Sequence, residues 1–257
     1  MRRRCLTGLM TAIVVMGALA LTESSAPVVF AQGNNCQDVP TAGQLRRLLR
    51  EAATLAVAPL GGTVGGLFQG TRMWAAVVNR TGEVCAYATS TDDPSQVWPG
   101  SQAIAKAKAY TANAFSLDNF ALSTARLYTF TQPGHSLWSL GQSNLFNSSL
   151  LLGPGETGDK NQIAGGLIFF GGGVPIYRDG QIIGGLGISG DTSCADHEIA
   201  KRVRHLAGLN PAGGPLADDI VYSGPDAASV FAHPVCLHTW RNGTFIGEEQ
   251  PATYPHQ

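Results

Sequence analysis

GGGVPIYRDGQIIGGLGISGDTSCADHEIA, residues 171–200, reads as two strands, a tight turn, a glycine-rich strand end and the start of a helix. Arg178-Asp179-Gly180-Gln181 sets an Asp-Gly pair between apolar runs, the strongest short-range signal for a β-hairpin. The strand after the turn, 182–189, carries Gly184, Gly185 and Gly187. Glycine weakens a strand, so three in so short a stretch mean that something approaches the backbone closely. A ligand or another subunit would both do. Gly190-Asp191-Thr192 then feeds a helix that Ser193 can cap, with Asp196 three residues on as its capping-box partner.

Outward from this block, apolar residues at helical spacing (Leu45, Leu48, Leu49, Ala52, Leu55) predict a helix over 41–58, with Arg46, Arg47, Arg50 and Glu51 on its other face. Residues 72–79 and 84–90 read as strands joined at Arg80-Thr81-Gly82. Helices are expected over 100–115, with Ser101 a candidate cap, and over 117–127. Residues 129–162 read as a long loop rich in Pro and Gly, and a loop of that length is usually functional or an oligomer arm. Residues 163–170, 174–177 and 182–189 read as three strands. A last helix over 194–207 turns Ala195, Ile199, Val203 and Leu206 to one face. The order predicts an α+β fold, a five-stranded antiparallel sheet with helices packed on it. The tail from 217 onward has short apolar pieces and no clear periodicity.

Two blocks carry a family resemblance. One is Gly-Gly-x-Pro-Ile, the Asp-Gly turn, Ile-Gly-Gly-x-Gly-Ile-Ser-Gly and an Asp entering a helix. The other is 74–81, Gly82-Glu83-Val84 and the Ala/Lys-rich SQAIAKAKAYTANAF of 101–115. Together, over about 41–128 and 163–207, the chain resembles the GlcG/HbpS-like family of haem-binding and proposed haem-degrading proteins. The resemblance implies a profilin-like sandwich, haem as ligand and assembly into a homo-oligomer. The chain departs from the family where Asp92-Asp93-Pro94 and Trp98-Pro99-Gly100 replace the usual Arg-Met-Asp-Gly, in the insert at 129–162, and in the tail after Leu209. The expected organisation is a signal peptide over 1–31, a haem-binding domain over 32–209 and an extension over 210–257 tied to that domain.

Arg2-Arg3-Arg4, an apolar run over 6–21 and Val29-Phe30-Ala31 form a secretory signal with a small-residue cleavage site. The mature chain would begin at Gln32 and be soluble in a secreted or periplasmic setting, since no later stretch is apolar for 18 residues. The formal charge of −1 becomes −3 once three Arg and one Glu leave with the signal. A mildly acidic surface without a basic run argues against nucleic acid. Gly makes up 32 of 257 residues and charged residues only 14%, against a usual ~25%, which suggests surface buried between subunits. Cys36, Cys85, Cys194 and Cys236 remain after export. An even count implies disulfides, with three pairings open. Cys36–Cys85 with Cys194–Cys236 is favoured because each ties a chain end to the nearest core element, each loop worth about 3–4 kcal/mol in the chain-entropy model. With no Cys-x-x-Cys, a zinc or redox motif is not expected.

His197, in the first turn of the last helix, is the first choice for a haem-iron ligand, because the positive helix end favours the neutral imidazole that binds iron. Lys201, Arg204 and His205 follow it as a basic stripe that could meet propionates. The plain alternative is a solvated outer face opposite the apolar one. His135, beside Leu137 and Trp138 in the long loop, is the second choice, and the plain alternative is an exposed loop histidine. Tyr110 and Thr111 on the Ala-rich helix are further ligand candidates and Lys106 a propionate partner, against an ordinary amphipathic helix. Asp191, Asp196 and Glu198 look like a metal cluster, but helix capping explains Asp196 and a first-turn acid explains Glu198. His233, His238 and His256 lie in the tail, where His233-Pro234-Val235-Cys236 is better suited to position a disulfide than to bind metal. Asn79, Asn147 and Asn242 head glycosylation patterns. No catalytic triad, paired carboxylates, phosphate loop or dinucleotide fingerprint is present. The reading is an exported haem-binding protein that stores, carries or senses haem as a homo-oligomer. The alternatives are a haem-degrading or peroxidase-like enzyme, and a ligand-free module supporting a membrane sensor or an extracellular assembly.

Overall fold

The structure is a computed structural model that describes residues 36–151 and 162–251. The expected signal, residues 1–31, and His256 lie outside the described residues. Helix α1, Ala42–Ala53, begins at Thr41, whose side chain accepts the Gln44 N–H while the Gln44 side chain accepts the Thr41 N–H. Strands β1, Trp74–Asn79, and β2, Val84–Thr89, are followed by helix α2, Gly100–Ala114, and a single helical turn α3, Leu140–Ser143. Strands β3, Gly173–Arg178, and β4, Gln181–Ser189, lead into helix α4, Ser193–Leu206. The sheet runs β2-β1-β4-β3 with every neighbouring pair antiparallel. Asp179 (φ 50°) and Gly180 (φ 79°) make the two-residue turn with both residues at positive φ, as the Asp-Gly signal requires.

Helices α1 and α4 pack on one face of the sheet and α2 on the other. Alternation in β1 serves both layers. Ala75 and Val77 meet Leu45, Leu49, Ile199 and Val203, while Trp74, Ala76 and Val78 meet Tyr87, Ala105 and Ala109. A strand covered on both faces is apolar throughout rather than alternating, as β1 is from Trp74 to Val78. The glycines of β4 have the same cause. A Cβ on Gly185 would sit 2.1 Å from the Ala109 carbonyl, and one on Gly187 2.0 Å from that of Ala105. At Gly185 and Gly187 the body that approaches is thus the chain's own α2, and at Gly184 it is the Val78 carbonyl of β1, rather than a ligand or another subunit. The small alanines of α2 and the glycines of β4 are two halves of one contact.

The sheet has four strands, not the five expected. Among the described residues, 163–170 make only isolated bridges, Ile163 with Glu83 and Gly165 with Phe146. Gly165 and Gly166 take φ of 63° and 68°, which turns the chain out of extended geometry. The helix expected over 117–127 is a loop ending in a 3-10 turn, Thr124–Leu127. Ser116 Oγ both donates to the Leu122 carbonyl and accepts its N–H, closing the segment locally. The tail builds β5, Val221–Tyr222, β6, Ala232–His233, β7, Thr239–Arg241, and β8, Thr244–Gly247. β5 and β6 pair in parallel, and β7 and β8 form a hairpin turned at Asn242-Gly243. Strands this short leave no periodicity to read. Both favoured disulfides are formed, Cys36–Cys85 with Cα atoms 5.1 Å apart and Cys194–Cys236 with Cα atoms 6.0 Å apart.

Candidate functional site

The entrance to α4 is built by Asp191 to Asp196. Thr192, not Ser193, is the N-cap, accepting the Ala195 N–H. Asp191 accepts the N–H groups of Leu67 and Phe68, which pins the 65–70 turn to the helix. Asp196 accepts the Asp191 N–H and pairs at 2.7 Å with Lys108 of α2, while Lys108 also donates to the Ile188 carbonyl across the end of the sheet. Both partners are buried. Burial pushes the Asp196 carboxyl up to about 6, with Lys108 opposing. Burial likewise lowers the Lys108 ammonium, with Asp196 opposing. Asp191, Asp196 and Glu198 therefore do not converge as a metal cluster, because each carboxylate is committed to backbone N–H groups or to a cation.

The stripe expected to be an outer face of α4 is interior. His197, Glu198, Lys201, Arg202 and Arg204 are each 0% exposed. The tail covers His197, Glu198, Lys201 and Arg204, and the end of α1 with the 60s turn meets Arg202. Lys201 pairs with Glu198 at 2.5 Å and with Asp219 at 2.8 Å, and Arg204 forks onto Asp218 at 2.6 and 3.0 Å. Arg202 donates to the Ala52 and Gly62 carbonyls, and the Asn242 N–H donates to Glu198. Burial opposes the ionisation of Asp219, but Lys201 and His197 outweigh it and hold this carboxyl well below the usual range. His197 Nε2 lies 3.5 Å from Asp219 Oδ1, at the limit of hydrogen-bond reach, and Nδ1 has no partner among the described residues. Neither a solvated face nor an open propionate stripe is present here. Apolar periodicity locates one buried face of a helix, and it could not report that the other face is buried by charge pairing.

Helix α2 also turns its candidate residues inward. Lys106 is buried, donates to the Leu150 carbonyl and lies 4.3 Å from the centre of the Tyr87 ring. The Thr111 hydroxyl donates to the Ala107 carbonyl and accepts the Ile168 N–H. Tyr110 is half-buried, its ring against Gly82. Asn79 is buried and bonds Thr81 and Glu83, so this glycosylation pattern is occupied by its own turn.

His135 lies apart from all of these, exposed in a turn between 132 and 138, where its N–H donates to the Gln132 carbonyl and its carbonyl accepts from Trp138. Trp138 is 51% exposed. The Leu137 N–H reaches back to Phe130, whose ring meets Phe231 edge-on at 5.6 Å, and Arg126 lies over Phe231 at 6.0 Å. The arrangement offers an accessible imidazole, exposed aromatic surface and a half-buried guanidinium. Arg126, Phe130 and Phe231 escaped the sequence reading because their proximity spans about a hundred positions. Two surface cavities, of about 280 and 380 Å³, are lined around Arg47 and Arg178 and around Pro59 and Gly243, and none of the predicted haem residues borders either.

A further cluster joins α4 to the tail. Cys194, Cys236 and His233 bring their ligand atoms within 4.8 Å of one another. His233 is buried, which pushes its imidazole down to about 4. Its Nδ1 lies 2.7 Å from the Pro234 carbonyl, its Nε2 accepts the Gly171 N–H at 3.2 Å, and the Tyr128 ring packs against it.

The model of a family described as haem-degrading, HbpS-like proteins matches residues 51–204, more than half of the chain. Among curated proteins none matches. Similar solved structures include the Klebsiella pneumoniae protein ORFY (22% identity, 65% of this chain and 87% of that one, TM-score 0.45). A PduOC:heme complex is 24% identical over 65% of this chain and 92% of that one, with a TM-score of 0.45. A double mutant of Streptomyces reticuli HbpS is 21% identical over 71% and 97%, with a TM-score of 0.38. The segment that covers the charged face of α4 lies beyond residue 204, outside the match. On the extent of that match, this chain belongs to the HbpS-like family.

Proposed function

We propose that the protein is an exported haem-binding protein that stores, carries or senses haem, with a domain over 32–209 and an extension over 210–257. Membership of the HbpS-like family is the observation that carries the haem reading. Two disulfides support export, and no described helix is long and apolar enough to cross a membrane. Haem needs a donor with a reachable lone pair, a flat apolar surface and cations for its propionates. The α4 face supplies donors and cations but no opening, and Lys201 and Arg204 already hold carboxylates. The 126–138 region has an exposed imidazole, the exposed ring of Trp138 and the half-buried guanidinium of Arg126, whose Nε donates to the Asp219 carbonyl and which holds no carboxylate among the described residues. His135 is therefore the iron ligand in this reading, Trp138 and Phe130 offer apolar surface, and Arg126 receives a propionate.

The test is a haem titration followed by its Soret band. His135→Ala should weaken binding by at least about tenfold, roughly 1.4 kcal/mol, and shift the band. His197→Ala should leave binding unchanged while lowering the melting temperature, since it opens a hole beneath the tail. The reverse pattern would move the site to α4 and require the tail to lift. No band with the wild type would overturn the haem reading and leave the interaction module.

The family's description as haem-degrading favours a second reading, in which the bound haem supplies redox chemistry. His135 would then hold the iron, and its exposed loop would leave oxygen or peroxide able to reach the group. Loss of the Soret band with peroxide, together with bilin formation, selects this reading. A band that persists selects storage, carriage or sensing.

A further inference from the structure

We propose that reduction of the Cys194–Cys236 disulfide creates a Cys2His site for a thiophilic divalent cation, zinc first, in which His233 is the nitrogen ligand. The sulfur and nitrogen atoms already converge within 4.8 Å, and all three residues are buried. Around tetrahedral zinc, bonds of about 2.3 Å to sulfur and 2.0 Å to nitrogen hold ligand atoms roughly 3.5–3.8 Å apart.

Three details suit a metal beyond the convergence itself. His233 Nδ1, 2.7 Å from the Pro234 carbonyl, donates to it, which leaves the lone pair on Nε2, the nitrogen that shares Ser193 Oγ as a neighbour with Cys236 Sγ. Metal-bound histidines are oriented by the same kind of outer hydrogen bond. The contact Nε2 would give up, the Gly171 N–H at 3.2 Å, is a long one. Ser193 Oγ stands 3.3 Å from Cys236 Sγ and 3.4 Å from His233 Nε2, so a hydroxyl or a water it holds completes a fourth position. Cys194 also lies in the first turn of α4, where the helix end favours thiolate.

The step balances. A dithiol gives two electrons and two protons to the disulfide and is itself oxidised to a cyclic disulfide, leaving Cys194 and Cys236 as thiols. Zinc then displaces both thiol protons to solvent, and neutral His233 adds a lone pair without losing a proton. Two thiolates cancel the charge of the cation, which suits a buried site. Either cross-link fastens the tail to α4, the disulfide in oxidising surroundings and the metal in reducing ones.

The experiment uses the full exported chain, reduced with excess dithiothreitol and freed of it anaerobically. Cobalt(II) should then bind at one per chain, with thiolate-to-cobalt charge-transfer absorption and tetrahedral d–d bands. Zinc should bleach both. In the same reduced wild type, zinc should protect Cys194 and Cys236 from alkylation and leave Cys36 and Cys85 reactive, a readout that needs no variant. His233→Ala should weaken metal binding by at least about tenfold. Reduced protein that takes up no metal, that unfolds on reduction even with zinc present, or that shows equal protection at all four cysteines would overturn the site. Uptake unchanged in His233→Ala would overturn the role of the histidine.

Discussion

At the residue scale, the clearest constraints are carbonyl oxygens facing missing side chains. Gly187→Ala would drive a Cβ to 2.0 Å from the Ala105 carbonyl, a backbone atom that cannot swing away. The substitution should cost about 3 kcal/mol or more, in the range of a severe overpacking, or prevent folding. Gly43→Ala, in α1 with nothing within 4 Å, should instead stabilise by about 0.5–1 kcal/mol through helix propensity. Urea unfolding of the two variants checks both signs, and equal effects would refute the account of β4. Ionisation adds a second residue-scale expectation. Asp219 has a depressed folded pKa, so its contribution is present above the ordinary carboxylate value and is lost as pH falls through and below about 4. Asp196, raised to about 6, acts oppositely: its favourable term is present below about 4 and disappears as pH rises toward 6. Below pH 4 only the Asp219 slope remains of these two. Asp219→Asn should flatten acid unfolding there and cost on the order of 3 kcal/mol at pH 7, because it leaves buried Lys201 short of a partner. An unchanged acid limb would count against this assignment.

At the scale of elements, legibility followed the strength of local signals. The Asp-Gly hairpin, the Thr41 helix and the strands over 74–79 and 84–89 were readable because turn chemistry, capping and apolar runs act within a few residues. The glycines of β4 were readable as a close approach but not as an approach by α2, since the partner lies some 80 positions away in sequence. The α4 face was legible only in part. Its apolar stripe marks one packed side, but Lys201 and Arg204 look solvated until Asp218 and Asp219 arrive from the tail. The fifth strand failed because Gly165 and Gly166 take a conformation that apolar patterning does not register. One element-scale expectation concerns the tail. A chain ending at Leu209 should lose several degrees of melting temperature, given buried cations stripped of partners and a lost cross-link. It should also present Cys194 to alkylating reagents. A truncated chain as stable as the full one would show that the tail merely rests on α4.

For the whole molecule, exposed apolar side chains gather on segments that leave the sheet. Leu145 is 81% exposed, Leu117 59%, Leu151 58% and Ile163 52%. Low overall charge and this apolar exposure support the expectation that copies associate. Light scattering at micromolar concentration should exceed the monomer mass, and Leu145→Asp should lower it. A clean monomer in the wild type would remove this element of the reading.

The two disulfides have a mechanical consequence. They close separate circuits, 36–85 and 194–236, that never overlap along the chain. Tension applied between the ends travels through sulfur at both places and bypasses the residues inside each ring. The circuits hide 49 and 42 residues, on the order of 300 Å of contour at about 3.5 Å per residue. Pulled from its ends, the molecule can yield its middle, where α2, the 129–151 loop and the β3–β4 hairpin lie, and the β7–β8 hairpin beyond Cys236. Helices α1 and α4 remain untouched ballast until a reductant releases them.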